Sequence, residues 1–211
     1  MSYITLVNII HNTNIPKRLF DMMVSAMLLM LLSPILLIAA LLVKCDSKGP
    51  VFFSQNRVGK DKNMFKMWKF RSMYIDAEER KAELMKQNEM DGGVLFKMKN
   101  DPRITSIGHF IRKFSIDELP QLWNVLIGDM SLVGPRPPLP NEVKQYTTKQ
   151  SRRLEVTPGI TCIWQVSGRS NIPFPQQVEL DIIYIENQSF TSDIIILLRT
   201  IPAVLQAKGS Y

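Results

Sequence analysis

The chain has 211 residues and a formal net charge of +7, which allows one domain with a substantial hydrophobic core. Its basic residues are spread along the sequence, a pattern that suits anionic lipid headgroups or phosphorylated small molecules at least as well as nucleic acid. Two distant cysteines argue against a disulfide framework and a zinc site, and two histidines exclude a histidine triad and a multi-histidine metal centre. Any chemistry must therefore come from carboxylates, arginines and lysines.

A hydrophobic stretch at residues 19–43 is long enough to cross a bilayer core of about 30 Å, so we expect membrane contact. A cleaved signal peptide fits poorly, because the apolar region is longer than the usual ~7 to 15 residues. A single span is the second alternative, but Ser33 and Pro34 interrupt the stretch, and proline removes a helix hydrogen bond. Basic residues flank both ends and give no clear direction under the positive-inside rule: Lys17, Arg18, Lys44 and Lys48. We predict a helix that enters, bends at Ser33-Pro34 and leaves on the same face.

Three further elements follow along the chain. Residues 51–58 and 64–73 are apolar and aromatic on either side of a turn-like GKDKN, which predicts a β-hairpin. Residues 76–91 are rich in helix formers and precede two glycines, which predicts a helix that ends there. Residues 193–207 place apolar side chains on one helical face, which either packs in the core or lies on the membrane.

These elements predict an α+β fold in two parts. Residues 1–48 form the re-entrant N-terminal membrane helix hairpin, and residues 49–211 form a small domain of amphipathic helices with a β-hairpin. We find no internal repeat and no low-complexity segment.

Two adjacent carboxylates, Asp117 and Glu118, precede a helical pattern of apolar residues that predicts one buried stripe: Leu119, Leu122, Trp123 and Leu126. The pair has a structural explanation, because Ser115 and Glu118 match the S-x-x-E capping box. The acidic pair also has a chemical explanation, since a helix N-terminus keeps a carboxylate ionised and attracts phosphate. An ionised aspartate can attack phosphorus, and a neighbouring glutamate can help to hold a divalent cation.

Arginines near this pair favour the chemical explanation. Arg112 lies just upstream, and Arg136 lies between Pro135 and Pro137, which restrict the backbone and pre-position a guanidinium for two-donor contact with phosphate. A P-loop, a dinucleotide-binding glycine motif and a D-x-D metal pair are all absent from the sequence. The rival interpretation is a non-catalytic membrane-seated adaptor, in which the acidic pair is only a helix cap.

The sequence resembles the monotopic phosphoglycosyl transferases of the bacterial sugar transferase family. The matching stretches occur in order along nearly the whole chain: KRLFD (17–21), SP (33–34), GPVFFSQNRVG (49–59), KFRSM (69–73), DPRIT (101–105), SIDELPQLWNVLIGDMSLVGPRP (115–137), TPGIT (157–161) and WQVSGRS (164–170). The long central motif carries the resemblance.

The resemblance implies a two-step reaction on a UDP-sugar and undecaprenyl phosphate. Asp117 attacks the phosphorus attached to the sugar and releases UMP, and the lipid phosphate then takes the phosphosugar. Asp117 and Glu118 organise Mg²⁺, while the remaining residues bind substrate: Arg112, Pro135, Arg136, Pro137, Lys69, Arg71 and Asp181. The protein is expected at the bacterial cytoplasmic membrane among inner membrane lipids, with its catalytic domain facing the cytoplasm and no nucleic acid partner. Whether it forms a homodimer is left open.

Within that family, the stretch NEMDGGVLFK (88–97) and the ending AKGSY resemble the exopolysaccharide-initiating branch that transfers galactose or glucose 1-phosphate. The alternative is an N-acetylamino sugar. Cys162 and Gln188 depart from the family pattern, where glycine and tryptophan are expected. Neither change touches the acidic pair.

Overall fold

The computed structural model describes residues 15–84, 98 and 100–206, which form an α+β fold, as predicted. Its helices are α1 (Ile15–Leu31), α2 (Ser33–Asp46), α3 (Ala77–Leu84), α4 (Ser106–Lys113), α5 (Gln121–Ile127), α6 (Pro140–Val143), α7 (Thr148–Ser151), α8 (Ile163–Ser167), α9 (Phe174–Glu186) and α10 (Phe190–Gln206). Its strands are β1 (Phe52–Val58), β2 (Met64–Phe70), β3 (Ser131–Val133) and β4 (Gly159–Thr161).

The predicted break in the hydrophobic stretch is present, because α1 and α2 meet at an angle of 62°. Pro34 has no N–H to offer the carbonyl of Met30, four residues earlier, and the hydroxyl of Ser33 donates to that carbonyl instead, at 2.8 Å. Among the described residues, no single helix is long and apolar enough to cross a membrane. The bent pair has the length and composition of either a broken span or a re-entrant loop.

Helix α1 attaches to the rest of the domain through buried polar contacts. Arg18 donates to the carbonyls of Val125 (2.5 Å) and Leu126 (2.9 Å) in the last turn of α5. Asp21 accepts a hydrogen bond of 2.8 Å from the hydroxyl of Ser131 on β3. The helix therefore has a polar anchored side, while other side chains of the same helix remain exposed and apolar: Leu19, Met23, Met27, Met30 and Leu31.

The predicted β-hairpin is confirmed. Strands β1 and β2 pair antiparallel, with Phe52 opposite Phe70 and Val58 opposite Met64. Met67 and Phe70 are buried and belong to two neighbouring hydrophobic clusters. The hairpin therefore links the core beneath α5 to the packing around α2.

Helix α5 docks on β2 through Asn124, which is fully buried. The Asn124 side chain accepts from the amide of Trp68 (3.0 Å) and donates to the carbonyl of Lys66 (2.7 Å). With Asn124 turned toward β2, Trp123 faces outward and is 51% exposed. The predicted buried stripe is therefore wrong at Trp123. The buried residues of α5 are Gln121, Leu122, Asn124 and Val125.

Strands β3 and β4 form a short parallel pair that positions the segment after β3. Gly134 and Gly159 allow the two backbones to come together, because a Cβ on Gly159 would lie 2.1 Å from the amide nitrogen of Gly134. The amide of Gly159 also donates to the carbonyl of Pro135 at 3.0 Å. The chain around Arg136 is therefore fixed to β4.

The two remaining helical predictions have different outcomes. Helix α3 covers Ala77–Leu84, and the rest of the predicted element, with the glycines after it, lies outside the described residues. Helix α10 has a buried side and an exposed side. Asp193 and Ile196 are buried, whereas the exposed large apolar side chains are Phe190, Ile195, Leu198, Ile201 and Leu205.

Both departures from the family pattern lie beside buried groups. The thiol of Cys162 is buried and donates to the side-chain oxygen of Gln165 at 3.0 Å. The amide of Gln188 donates to the hydroxyl of Tyr184 at 3.1 Å, and this hydroxyl in turn donates to Asp193 at 2.8 Å.

Replacing Lys17 with Met should destabilise the fold strongly. The Lys17 side chain is 11% exposed and pairs with Asp193 on α10, so its loss leaves a buried carboxylate without its cation. A broken buried pair costs about 3 kcal/mol or more, which corresponds to a fall in the thermal midpoint of roughly 6 °C or more for a chain of this length. Thermal unfolding of the purified protein in detergent measures the change.

The control is Lys149→Met. Lys149 pairs with Glu179 in the same way, but both side chains are more than half exposed. Exposed pairs contribute about 0 to 1 kcal/mol, so this variant should unfold near the wild-type temperature. Equal effects of the two substitutions would contradict the structural role assigned to Lys17.

Candidate active site

The acidic pair lies in a 3₁₀ turn, Ile116–Glu118, between α4 and α5. Ser115, which precedes this turn, has a left-handed backbone (φ 55°) and its side chain makes no capping hydrogen bond. The carboxylate of Glu118 instead accepts a hydrogen bond of 2.6 Å from the ammonium of Lys69 on β2. The capping box that the S-x-x-E pattern allows therefore does not form, because a long-range ion pair takes the side chain that the cap would use.

A cavity of about 420 Å³ opens beside this turn. One part of its lining is charged and contains Lys69, Arg112, Asp117, Glu118, Arg136 and Arg169, with the ion pair of Asp101 and Arg103. Another part is apolar and comes from α1, the break before α2, and α10: Leu28, Leu32, Leu197, Ala203 and Val204. The cavity can therefore hold an anionic group and an apolar chain at the same time.

The two adjacent carboxyl groups have opposite pKa shifts. Burial raises the pKa of Asp117 to about 6, opposed by Lys69 and assisted by the negative charge of Glu118. Burial also acts on Glu118, but Lys69 and Arg136 outweigh it and lower the pKa of Glu118 to about 2. At neutral pH both groups are ionised, and Asp117 is the more basic of the two.

Three arginines of the cavity are available to a ligand. Within residues 15–84, 98 and 100–206, the guanidinium groups of Arg112, Arg136 and Arg169 donate no hydrogen bond. Arg57 and Arg71 differ, because each donates to backbone carbonyls. An arginine that faces a cavity without an acceptor is suited to bind an anionic ligand there.

Among the other predicted substrate-binding residues, Lys69 lines the cavity. Pro135 and Pro137 are fully buried beside Arg136 and not in the lining. The carbonyl of Pro137 accepts from Arg57 at 2.9 Å. The prolines thus hold the backbone on both sides of the arginine.

Arg71 and Asp181 do not line the cavity. The Arg71 guanidinium donates to the carbonyls of Ser47, Lys48 and Pro50, which joins the end of β2 to the segment after α2. Asp181 on α9 is fully buried and accepts from Arg153 at 2.8 Å. The geometry assigns both residues to structural contacts, and their predicted contact with substrate remains a prediction.

The acidic pair fits Mg²⁺ only together with a substrate. Among the described residues there is no group of three or more histidine, cysteine, aspartate or glutamate side chains suited to a metal ion. Mg²⁺ nevertheless often binds through one or two carboxylates, with substrate phosphates and waters as its other ligands. Asp117 and Glu118 offer that smaller set.

Sequence reasoning assigned no role to Arg169, Asp101 or Arg103, which also line the cavity. Arg103 is bound to Asp101 by hydrogen bonds as short as 2.7 Å. These residues belong to the stretches DPRIT (101–105) and WQVSGRS (164–170), which match the family pattern but suggested no role for the individual side chains. For Arg169 the available signal was the preceding glycine, which indicates an unusual backbone at this position.

Comparison with known proteins gives the family of the chain. The model of the bacterial sugar transferase family matches residues 12–207. The chain is 55% identical over 163 residues to a galactosyl transferase, CpsE, of Streptococcus agalactiae serotype III, covering 77% of this chain and 36% of that protein. It is 42% identical over 198 residues to an undecaprenyl-phosphate galactose phosphotransferase of Salmonella typhimurium, covering 92% of this chain and 41% of that protein.

A third relative is similar to this chain along most of its own length. The exopolysaccharide production protein ExoY of Sinorhizobium fredii is 38% identical over 200 residues, covering 93% of this chain and 88% of that protein. By contrast, the chain spans less than half the length of the streptococcal and Salmonella relatives. The family model covers nearly the whole sequence, and the chain belongs to the bacterial sugar transferase family.

Proposed function

We propose that this protein transfers a sugar 1-phosphate from a UDP-sugar to undecaprenyl phosphate, the first step of an extracellular or capsular polysaccharide. The observation that carries the proposal is the position of Asp117, 7% exposed, in a cavity with a cationic and an apolar lining. The names of relatives support the same reaction, since one is an undecaprenyl-phosphate galactose phosphotransferase.

Asp117 is the nucleophile of the first step. An oxygen of its carboxylate forms a bond to the sugar-linked phosphorus, and the bond from that phosphorus to the bridging oxygen breaks, with its electron pair leaving on UMP. In the second step an oxygen of the lipid phosphate attacks the same phosphorus. The bond to Asp117 then breaks, and the carboxylate is regenerated.

The other charged residues act on the phosphates. Arg112 and Arg136 bind phosphate oxygens, and Lys69 holds Glu118 in place as an anion. Asp117 and Glu118 would hold Mg²⁺, which would supply positive charge to offset the negative charge of the leaving group. Glu118 remains ionised because its pKa is about 2, so it provides a carboxylate ligand at every physiological pH.

The apolar lining suits the lipid acceptor. It is formed partly by α1 and α10, whose other side chains are exposed and apolar, including Met27, Leu198 and Leu205. These surfaces favour seating the protein on the cytoplasmic leaflet through a re-entrant α1–α2 pair, with the cavity mouth at headgroup depth. Lys44 lies in the last turn of α2 and Lys48 follows that helix, and both favour the same depth by attraction to anionic lipid.

Galactose or glucose is the sugar we favour. Relatives include a galactosyl transferase and a protein named UDP-glucose:undecaprenyl-phosphate glucose-1-phosphate transferase. An N-acetylamino sugar remains the alternative. The adaptor interpretation explains the acidic pair as a helix cap. The geometry does not support that explanation, because Glu118 pairs with Lys69 and forms no cap.

Replacing Asp117 with Asn should abolish turnover, with a loss of roughly a thousandfold or more, because an amide is a poor nucleophile toward phosphorus. Wild-type protein incubated with UDP-galactose or UDP-glucose and no lipid should acquire a hexose-phosphate adduct. Intact-protein mass spectrometry detects the adduct, and peptide mapping should place it on Asp117.

The matched control is Asp61→Asn, at an exposed position in the hairpin turn, which should leave adduct formation unchanged. EDTA should stop adduct formation if the cation is required. An active Asp117→Asn variant, or an adduct on another residue, would overturn the assignment of the nucleophile.

The rate of adduct formation should depend on pH through Asp117. Only the ionised carboxylate attacks, and its pKa is about 6, so the rate should fall as the pH drops below about 6 and level off above about 7. Glu118 stays ionised in this range and adds no second transition. Quenched-flow mass spectrometry between about pH 5 and pH 8 measures the profile, and a flat profile would contradict it.

Both ends of the α1–α2 pair should face the cytoplasm. Thr5→Cys and Lys48→Cys, each in a background without Cys45 and Cys162, are treated with a membrane-impermeant maleimide on intact cells. Both positions should stay protected until the cells are opened. Labelling at position 5 from outside would indicate an ordinary span.

Replacing Ser33 with Ala and Pro34 with Leu should shift residues 19–43 toward an ordinary span and lower activity.

A further inference from the structure

The cavity beside the acidic pair has a third kind of lining, which is polar but uncharged. Three side chains of this kind come from separate elements: Thr161 ends β4, Gln165 lies in α8, and Thr200 lies in α10. Phosphates suit the cationic part of the lining, and an apolar chain suits the part formed by α1 and α10. The proposed roles of the charged and apolar linings leave this neutral set without a ligand.

The two threonines form a short chain of hydrogen bonds that leaves Thr161 as an acceptor. The hydroxyl of Thr200 donates to the carbonyl of Ile196 at 2.8 Å, and the two threonine hydroxyl oxygens are 2.8 Å apart. Because a hydroxyl has only one proton, Thr161 donates to Thr200, and the oxygen of Thr161 keeps a lone pair for another donor. Thr161 can therefore accept a hydrogen bond from a ligand in the cavity.

Gln165 has the opposite capacity, because a buried thiol fixes the orientation of its amide. Cys162 is fully buried, and its thiol donates to the side-chain oxygen of Gln165 at 3.0 Å. Burial raises the pKa of this thiol, so the thiol stays protonated and keeps its S–H donor. Within the part of the chain that the structure describes, the NH2 group of the same amide donates no hydrogen bond. Gln165 therefore has two donors available to a ligand in the cavity.

The neutral set lies next to the segment that carries Arg136. The amide of Gly134, two residues before Arg136, donates to the carbonyl of Thr161 at 3.0 Å. In the proposed reaction the hexose is joined to the phosphorus that Asp117 attacks, so the hexose must lie close to the charged lining. Its hydroxyl groups both donate and accept, which complements Gln165 and Thr161.

We propose that Gln165 and Thr161 bind hydroxyl groups of the transferred hexose, Gln165 as donor and Thr161 as acceptor, with Cys162 as a positioning residue for the Gln165 amide. This inference rests on the proposed function and assigns a sugar subsite within the same cavity. Neutral groups of this kind discriminate between hexoses, because a hydroxyl that is missing or points elsewhere leaves a polar side chain unpaired.

Deoxy analogues of the donor test the contact directly. The rate of hexose-phosphate adduct formation is measured with the preferred UDP-hexose and with UDP-hexoses that each lack one hydroxyl. The wild type should react roughly tenfold more slowly with at least one analogue, the effect of a lost hydrogen bond that leaves its partner unpaired. Gln165→Leu should react more slowly with the parent donor and should no longer distinguish it from that analogue. A Gln165→Leu variant that distinguishes them as the wild type does would overturn the contact.

Thr161→Val removes the acceptor and keeps the shape of the side chain. It should also abolish the discrimination against one of the deoxy analogues, because the hydroxyl that donated to Thr161 has lost its partner. Unchanged discrimination against every analogue would exclude Thr161 from the subsite.

UMP separates the hexose from the nucleotide. Isothermal titration of the detergent-purified full chain with UMP and Mg²⁺ should give the same affinity for Gln165→Leu as for the wild type, because UMP carries no hexose. A parallel loss of UMP affinity would place Gln165 at the nucleotide and overturn the assignment. The control is Gln145→Leu, at an exposed position outside the cavity lining, which should match the wild type in both measurements.

Two substitutions of Cys162 test its positioning role. Cys162→Ser keeps a donor for the Gln165 amide and should retain the wild-type ratio of rates between the parent donor and the analogue. Cys162→Ala removes that donor and should move the ratio toward one, with UMP affinity unchanged. Cys45→Ala, at an exposed cysteine, is the control. An unchanged ratio in Cys162→Ala would show that Cys162 only fills space.

This inference and the proposed function can fail separately. If the wild type forms an adduct but reacts equally well with every deoxy analogue, the sugar subsite is wrong and the proposed function stands. If the wild type forms no adduct with any UDP-sugar, both fail.

Discussion

The ion pair of Lys69 and Glu118 is the contact on which the candidate site depends. It joins β2 of the hairpin to the 3₁₀ turn that carries Asp117, and it keeps Glu118 ionised. Burial raises the pKa of Asp117, and the fixed negative charge of Glu118 raises it further. Two neighbouring carboxyl groups thereby acquire different pKa values, which suits the proposed roles of Asp117 as nucleophile and Glu118 as a constant anion.

Polar contacts join the predicted membrane segment to the part of the chain that carries the acidic pair. Arg18 binds the last carbonyls of α5, Lys17 pairs with Asp193 of α10, and Arg71 binds carbonyls just after α2. These contacts set the position of the apolar helices relative to the acidic pair. The cavity can then be lined by Leu28 and Leu32 on one side and by Asp117 on another. In the proposed reaction, this geometry brings a lipid phosphate and a nucleotide sugar to one carboxylate.

Arginines in this fold have two different uses. Arg57, Arg71 and Arg153 are buried and donate to carbonyls or to a carboxylate, so their charges hold the structure together. Arg112, Arg136 and Arg169 face the cavity, and their guanidinium groups donate to no described residue. Retaining cations without hydrogen-bond acceptors in a partly buried site has an energetic cost, which the binding of an anionic ligand would offset.

Local chemistry explains what the sequence by itself determined: the β-hairpin, the break at Ser33 and Pro34, and the acidic pair with Arg112 and Arg136 nearby. Each depends on alternating side chains, on the missing N–H of proline, or on residues close together along the chain. The tertiary structure decided that Trp123 is exposed, that no capping box forms at Ser115, and that Arg169 lines the cavity while Arg71 and Asp181 do not. Those outcomes depend on contacts between distant segments, such as Asn124 with β2 and Lys69 with Glu118, whose partners are more than forty residues apart. Local sequence patterns carry no information about such pairs.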